Sequence, residues 1–270
     1  MSFKIRTTAP TSTDKNWIHT SKGGKNSCIL ITGNSVLPNC VGYAWGRFME
    51  ILGSTPKLSR ANAEDWYGHT SDGYKRGQTP KLGAVICWRK GKTGTESDGA
   101  GHVAIVEQIY SDDSIMISES GYNSFRFRIR TLKKPYLING YSFQGFIYNP
   151  AVKQISVDGY WGIETTKATQ MFLGSIIDGQ ISNQLISCKK YLPNAVTNSW
   201  QFNSNGIGGS LMVKKLQIFV GANVDGYAGF ETISKLQMFL QKRGLYSGKI
   251  DGIAGILTVT GWQKYLNIYL

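Results

Sequence analysis

Long hydrophobic runs are missing from this 270-residue chain. No apolar stretch approaches the roughly 20 residues of a bilayer-spanning helix, which excludes membrane insertion by that route. Acidic residues are scarce, with 17 Asp+Glu against 30 Lys+Arg, and the resulting net charge of +13 calls for a polyanionic partner. Cysteine is scarce as well. The four, Cys28, Cys40, Cys87 and Cys188, form no C-x-x-C pair and have no suitably spaced histidine, which argues against a zinc site and a disulfide framework. The opening Met-Ser-Phe-Lys-Ile-Arg lacks the apolar core of a secretory signal, so the expected location is a reducing cytosol. No five Lys/Arg residues are consecutive and no helix is Arg-rich, which disfavours a nucleic-acid partner.

What is present belongs to a folded protein. Aromatic residues make up 12% of the chain and hydrophobic residues 41%, far more than a disordered chain carries. The length suits one large domain or two ordinary ones. Residues 1–150 hold 19 basic and 11 acidic side chains, net +8, and residues 151–270 hold 11 and 6, net +5. The positive charge is therefore spread along the chain.

The second half repeats itself. VDGYWGIETTKATQMFL at 157–173 matches VDGYAGFETISKLQMFL at 224–240 at 11 of 17 positions, and IDGIAGILTVTGWQKYL follows at 250–266. All three fit D-G-x-x-G-x-x-T-x4-Q-x2-L, with Asp158, Asp225 and Asp251 each 12 residues before Gln170, Gln237 and Gln263. Weaker copies open at Asn205-Gly206 and Asp178-Gly179. Asp-Gly makes a tight turn in which glycine takes positive φ, and Thr165, Thr232 or Thr258 is placed to cap the helix that follows. Ile233, Leu236, Phe239 and Leu240 recur at helical spacing. Each unit is a turn and a short helix, too small to stand alone. The expectation is an all-α repeat domain over 151–270, as one compact body or as two modules of about 151–197 and 198–270.

The first half reads as α+β. NCVGYAWGRFMEIL at 39–52 predicts a helix opened by Asn39 after Pro38. Five alternating or apolar runs then predict an antiparallel sheet: 83–88, 102–110, 114–120, 125–132 and 141–148. Asp112-Asp113 reads as a hairpin turn, and the domain boundary falls near Asn149-Pro150. Arg126, Arg128 and Arg130 alternate along one strand face.

A nucleophilic cysteine needs a base to make its thiolate and a group to orient that base. Cys40 sits at a predicted helix start, where the macrodipole favours a thiolate. His102 opens a strand after the loop Asp98-Gly-Ala-Gly101, and Glu119 lies 17 residues on, within reach across one hairpin. Together they could perform papain-like acyl transfer.

The runs VLPNCVGYAWGRFMEI, PKLGAVICW, GHVAIVE and ISESGYNS, in this order between residues 36 and 148, resemble the CHAP family of cysteine, histidine-dependent amidohydrolases/peptidases. The resemblance implies a papain-like, NlpC/P60-like fold over 1–150. It implies Cys40 as nucleophile, His102 as base and Glu119 as orienting acid, with Asn123 the nearest match to a fourth polar residue. The family's P-x-x-G-D stands here as Pro80-Lys-Leu-Gly83-Ala84, without the aspartate. The repeats are similar to peptidoglycan-binding domain 1, which implies wall binding, with Tyr160, Trp161 and Tyr227 as candidate sugar-stacking residues. The combination resembles bacteriophage endolysins. It implies a hydrolase of Gram-positive peptidoglycan that waits in the host cytoplasm and acts on the wall after release, with teichoic acids as a further anionic partner. N-acetylmuramoyl-L-alanine amidase is slightly favoured over endopeptidase, and a non-catalytic wall-binding or virion structural protein is the contrasting reading. No cofactor is implied. Calcium needs oxygen ligands, usually carboxylates, and nothing acidic lies between Asp14 and Glu50, so no calcium site is expected before the nucleophile. The oligomeric state is not encoded in these patterns.

Overall fold

The computed structural model describes residues 3–31, 33–90 and 100–270, and the chain divides into two compact units, 1–152 and 153–270. Asp98 and Gly99 of the loop before His102 lie outside the described residues.

The first unit is built on helix α1 (Cys40–Leu52) and a six-stranded antiparallel sheet. A four-residue helix, α2 (Ala63–Trp66), lies between α1 and the sheet in sequence. The strands are β1 (Arg76–Gly77), β2 (Val85–Lys90), β3 (His102–Ile109), β4 (Ile115–Glu119), β5 (Arg128–Leu132) and β6 (Tyr141–Ile147), in the spatial order β1-β6-β2-β3-β4-β5. The five predicted runs are thus β2 to β6. Asp113 takes φ 64° in the β3–β4 turn, where Ser114 donates its backbone N–H to Asp112 Oδ1 at 3.0 Å.

Asn39 caps α1 as its sequence predicts, with Oδ1 accepting from the Val41 N–H at 3.1 Å. The helix packs on β3 and is buried on nearly every side, since the N-terminal segment covers its far face. Trp17 lies across it, donating from Nε1 to Tyr43 O at 3.0 Å and stacking on the Tyr43 ring at 5.9 Å. A Cβ at Gly46 would come within 2.7 Å of Trp17 Nε1, so this glycine, costly to a helix elsewhere, admits the indole here. Beneath the helix, Arg47 forks onto the fully buried Glu107, with Nε to Oε1 at 2.9 Å and Nη2 to Oε2 at 2.8 Å. Glu107 sits at the register shift between β3 and β4 and also accepts from Ser118 Oγ at 2.7 Å. The pair ties α1 to the strand that carries His102.

The second unit departs from the all-α expectation. Helices α3 (Ile163–Leu173), α4 (Leu211–Val220), α5 (Phe230–Lys242) and α6 (Ile256–Tyr269) are joined by a two-stranded parallel ribbon, β7 (Ile181–Leu185) with β8 (Trp200–Asn203). The reason is local. After the Asp178-Gly179 turn the buried Ile181, Gln184 and Cys188 stand near helical spacing, but Asn183 takes a left-handed φ of 56° that no helix continues through, and the 27-residue step from 178 to 205 folds as strand, 3-10 turn and strand. The helices form one closed ring in which α3 meets α4, α4 meets α5, α5 meets α6 and α6 returns to α3, which leaves no division into two modules.

The repeat glutamines fasten this ring by reaching into the next unit. Gln170 Nε2 donates to Asp178 Oδ1 at 2.7 Å, Gln217 to Asp225 Oδ1 at 2.7 Å and Gln237 to Asp251 Oδ1 at 2.8 Å. Gln263 closes the circle onto Asp158 Oδ1 at 2.8 Å, across 105 residues. In each case Oε1 accepts from the following glycine, Gly179, Gly226, Gly252 or Gly159. Thr165, Thr232 and Thr258 are third residues of their helices and not caps. Each donates back to a turn carbonyl and accepts from the clamping glutamine. The caps themselves are Gly162, Gly229 and Gly255.

Candidate active site

The N-terminus of α1 presents Cys40, almost buried, at a cleft of about 740 Å³ whose walls include His102, Tyr122, Arg128, Arg130 and Tyr141. As the first helical residue, Cys40 has a backbone N–H with no intrahelical acceptor, and its sulfur lies where the helix dipole favours negative charge. His102 opens β3 opposite Trp88 of β2, whose ring stacks on the imidazole at 5.7 Å, and Tyr141 closes its edge at 6.3 Å. The chain enters β3 through Gly101, φ 68°, where a Cβ would come within 2.6 Å of Trp88 O.

Glu119 ends β4. Ile105 faces Ser118, so continuing the register sets Glu119 opposite Ala104, one diagonal step from His102 on the same face. The carboxylate is fully buried, and Oε2 lies 2.6 Å from His102 Nε2. With Nε2 so engaged, Nδ1 is the nitrogen left for Cys40, which lines the same cleft. Cys40, His102 and Glu119, distant in sequence, are thereby brought together.

Two arginines complete the geometry. β5 pairs with β4 so that Arg128 faces Glu119 and Arg130 faces Ile117, which aims both side chains at the carboxylate. Arg128 Nη2 lies 2.6 Å and Arg130 Nε 2.7 Å from Oε1. The alternation Arg126-x-Arg128-x-Arg130 is visible in the sequence, but its target emerges only when the 119–128 hairpin is drawn in register. Arg126 lies ahead of β5 and is exposed. Ser120, also absent from the sequence reading, ties the site together: its Oγ accepts from the Asn39 N–H at 3.1 Å and donates to Phe125 O at 3.2 Å.

Two expected residues fall elsewhere. Asn123 is an exposed turn residue with φ 48°, and it braces the entrance to α1 by its backbone N–H, 3.3 Å from Pro38 O. It is not among the residues lining the cleft. The turn from β4 to β5 needs a left-handed residue there, which asparagine tolerates. Trp161 is buried, packed edge-on against Trp200 at 5.4 Å and stacked on Trp262 at 6.5 Å, so it belongs to the core and cannot meet a sugar. Tyr160 is exposed, while Tyr227 is half-buried with its hydroxyl bonded to Gly206 O.

The charges of the site reinforce one another. Burial pushes the His102 pKa down, but the hydrogen bonds and charges of Cys40 and Glu119 outweigh it and raise the value from 6.5 to about 9. Burial pushes Glu119 up, but His102, Arg130 and Arg128 together hold it at about 2, from an ordinary 4.5. The protonated imidazole therefore stabilises the fold fully below pH 6.5 and loses that contribution as pH rises through about 9. Ionised Glu119 contributes above pH 4.5 and is lost as pH falls toward about 2. With only three histidines in the chain, NMR can follow the His102 ring. It is expected to titrate near pH 9, and Glu119→Gln should move it down, because burial then lacks one of its two counterweights, Cys40 being the other. A ring that titrates near 6.5 in the unaltered protein would contradict the paired geometry.

Residues 31–121 match the CHAP domain. That match contains Cys40, His102 and Glu119 and stops short of Arg128 and Arg130. A protein of Streptococcus mutans serotype c described as "Putative hydrolase" is 35% identical over 68 residues, which cover 22% of this chain and 29% of that relative. A crystal structure of N-acetylmuramoyl-L-alanine amidase from Staphylococcus aureus is 26% identical, with 43% of this chain and 33% of the other covered and a TM-score of 0.32. The chain thus spans about a third of the length of either protein.

Proposed function

We propose that this chain is a peptidoglycan hydrolase of the bacteriophage endolysin type, cutting an amide bond of Gram-positive walls through a thioester on Cys40. The observation that carries the reading is the His102 Nε2–Glu119 contact of 2.6 Å, which leaves the other ring nitrogen for a cysteine at a helix N-terminus. Glu119 fixes the tautomer and stabilises the imidazolium. Cys40 Sγ attacks the amide carbonyl carbon while the Cys40 N–H, aided by the helix dipole, takes up the developing negative charge on oxygen. His102 then delivers its Nδ1 proton to the amide nitrogen, the C–N bond breaks and the amine leaves. Water attacks the thioester, giving its proton to His102, and the acid departs as the thiolate is restored.

The second unit is the wall anchor in this reading. Its support is the repeat pattern, the exposed Tyr160 and a net charge of +5, with stem peptides and teichoic acids as the anionic partners. N-acetylmuramoyl-L-alanine cleavage is preferred to cleavage within the stem or cross-bridge. Mass spectrometry of digested walls decides between them. Amidase action frees the L-alanine amine and the muramoyl carboxyl group, whereas endopeptidase action leaves that bond intact and frees peptide termini. Walls that acquire neither kind of terminus would defeat the hydrolase reading.

A further inference from the structure

Arg128 does more than brace Glu119. Its Nε and Nη2 both meet Glu119 Oε1, at 2.8 and 2.6 Å, which uses one edge of the guanidinium. Phe125 lies beneath it, with the guanidinium carbon over the ring and 4.1 Å from its centroid, so the group is held from a second side. The other edge, the fork made by Nη1 and the second Nη2 hydrogen, has no acceptor among the described residues. Arg128 is 45% exposed and lines the cleft beside Cys40 and His102.

The local charge is unbalanced. Two guanidiniums share one carboxylate, and Glu119 is sealed from the cleft with both oxygens occupied. No aspartate or glutamate is among the described residues lining the cleft. A thiolate–imidazolium pair adds no net charge, so one positive charge remains for an occupant. A planar fork held rigid in a partly desolvated cleft matches a carboxylate in two parallel hydrogen bonds and pays little ordering entropy.

We propose that the outward edge of Arg128 is a carboxylate-binding subsite, which selects wall amides carrying a free carboxylate close to the scissile bond. This rests on the hydrolase reading above and specifies its substrate. Arg130 is more buried, its Nη2 donates to Glu119 Oε2 at 3.2 Å and its Nε lies in ion-pair contact with Oε1 at 2.7 Å, so the selectivity is assigned to Arg128.

Soluble muropeptides serve as the probe, before and after conversion of their carboxyl groups to methylamides. The untreated fragments are expected to be cut with at least about tenfold higher kcat/KM, and to bind the Cys40→Ala full-length protein at least about tenfold more tightly by calorimetry. Because Arg128 also holds Glu119, Arg128→Gln should lower the absolute rate. The decisive quantity is the ratio between the two substrates, which should collapse towards one in Arg128→Gln and survive in part in Arg128→Lys. A role confined to bracing Glu119 would slow both substrates equally and leave the ratio unchanged, which overturns the proposal. Equal use of both substrates by the unaltered protein overturns it too. Hydrolysis of neither substrate counts against the hydrolase reading, and the subsite is then judged on binding alone, by comparing Cys40→Ala with Cys40→Ala/Arg128→Gln, whose second units are identical.

Discussion

Replacing Cys40 by alanine is expected to lower wall hydrolysis by at least about 1,000-fold and to leave sedimentation of the protein onto walls unchanged. The loss is large because no other group can take the place of the sulfur. Cys28 and Cys87 are fully buried, and burial pushes both thiols well above the usual range, so neither supplies a thiolate. Cys188 belongs to the other unit, and burial raises its pKa as well. The fold should tolerate the change. Alanine is the best helix former, the Asn39 cap does not involve the sulfur, and the vacated volume opens on the cleft rather than within the core. Turbidity loss of purified walls measures hydrolysis, and sedimentation measures the anchoring proposed for residues 153–270. Cys40→Ser separates chemistry from packing, since it keeps the shape and lacks the easily ionised thiol. If both variants lyse walls at the unaltered rate, Cys40 is only a packed thiol and the chain is a wall-binding or structural protein. If binding is lost together with lysis, the division of labour between the units is wrong.

Much of the first unit can be read from local signals. Pro38-Asn39 before an apolar run announces α1, and alternation marks β2 to β6 to within a few residues. The approach of His102 to Glu119 follows from a 17-residue separation across one hairpin, with both side chains on one face. What escapes is set by long-range pairing. Arg47 and Glu107 are 60 residues apart, and nothing near either shows that the other will be buried beside it. Arg128 and Arg130 look like a solvent-facing stripe until the β4–β5 register points them at Glu119. Adjacent aromatics are equally ambiguous. Tyr160 and Trp161 follow the same Asp-Gly turn, yet one is exposed and the other fills the core, because the chain alternates sides there. Asn123 sits near the acid in sequence but is turned outward by a left-handed backbone.

The repeats give the strongest case of a pattern legible in form and misleading in partner. Asp and Gln stand 12 residues apart within each copy, which suggests a bond inside the unit, yet every glutamine binds the aspartate of the next turn. The consequence is largest at the seam. Gln263→Ala is expected to destabilise the second unit by about 2–5 kcal/mol and lower its melting temperature by at least about 10 °C. The side chain is buried. It donates to Asp158 Oδ1 at 2.8 Å, Thr165 Oγ1 at 2.9 Å and Tyr160 O at 3.1 Å, and accepts from the Gly159 N–H at 2.9 Å. Its loss leaves the Gly159 N–H and the Thr165 hydroxyl buried without this partner, and it unlatches α6 from the turn that begins the ring. Against a unit stability of about 5–15 kcal/mol this is a large share. Gln201→Ala, which removes only an exposed bond to Gln180 at 3.2 Å, is the control and should leave melting unchanged. Gln263→Glu keeps the shape but sets a carboxylate against Asp158, whose acidity now rests chiefly on the Gln263 hydrogen bond. It should therefore destabilise more at pH 7 than at pH 4, where protonation relieves the repulsion and restores a donor. Calorimetry of the full chain measures all three variants. A shift below about 3 °C for Gln263→Ala would mean that helix packing alone closes the ring, and the glutamine clamps would then be a consequence of the fold and not a cause of it.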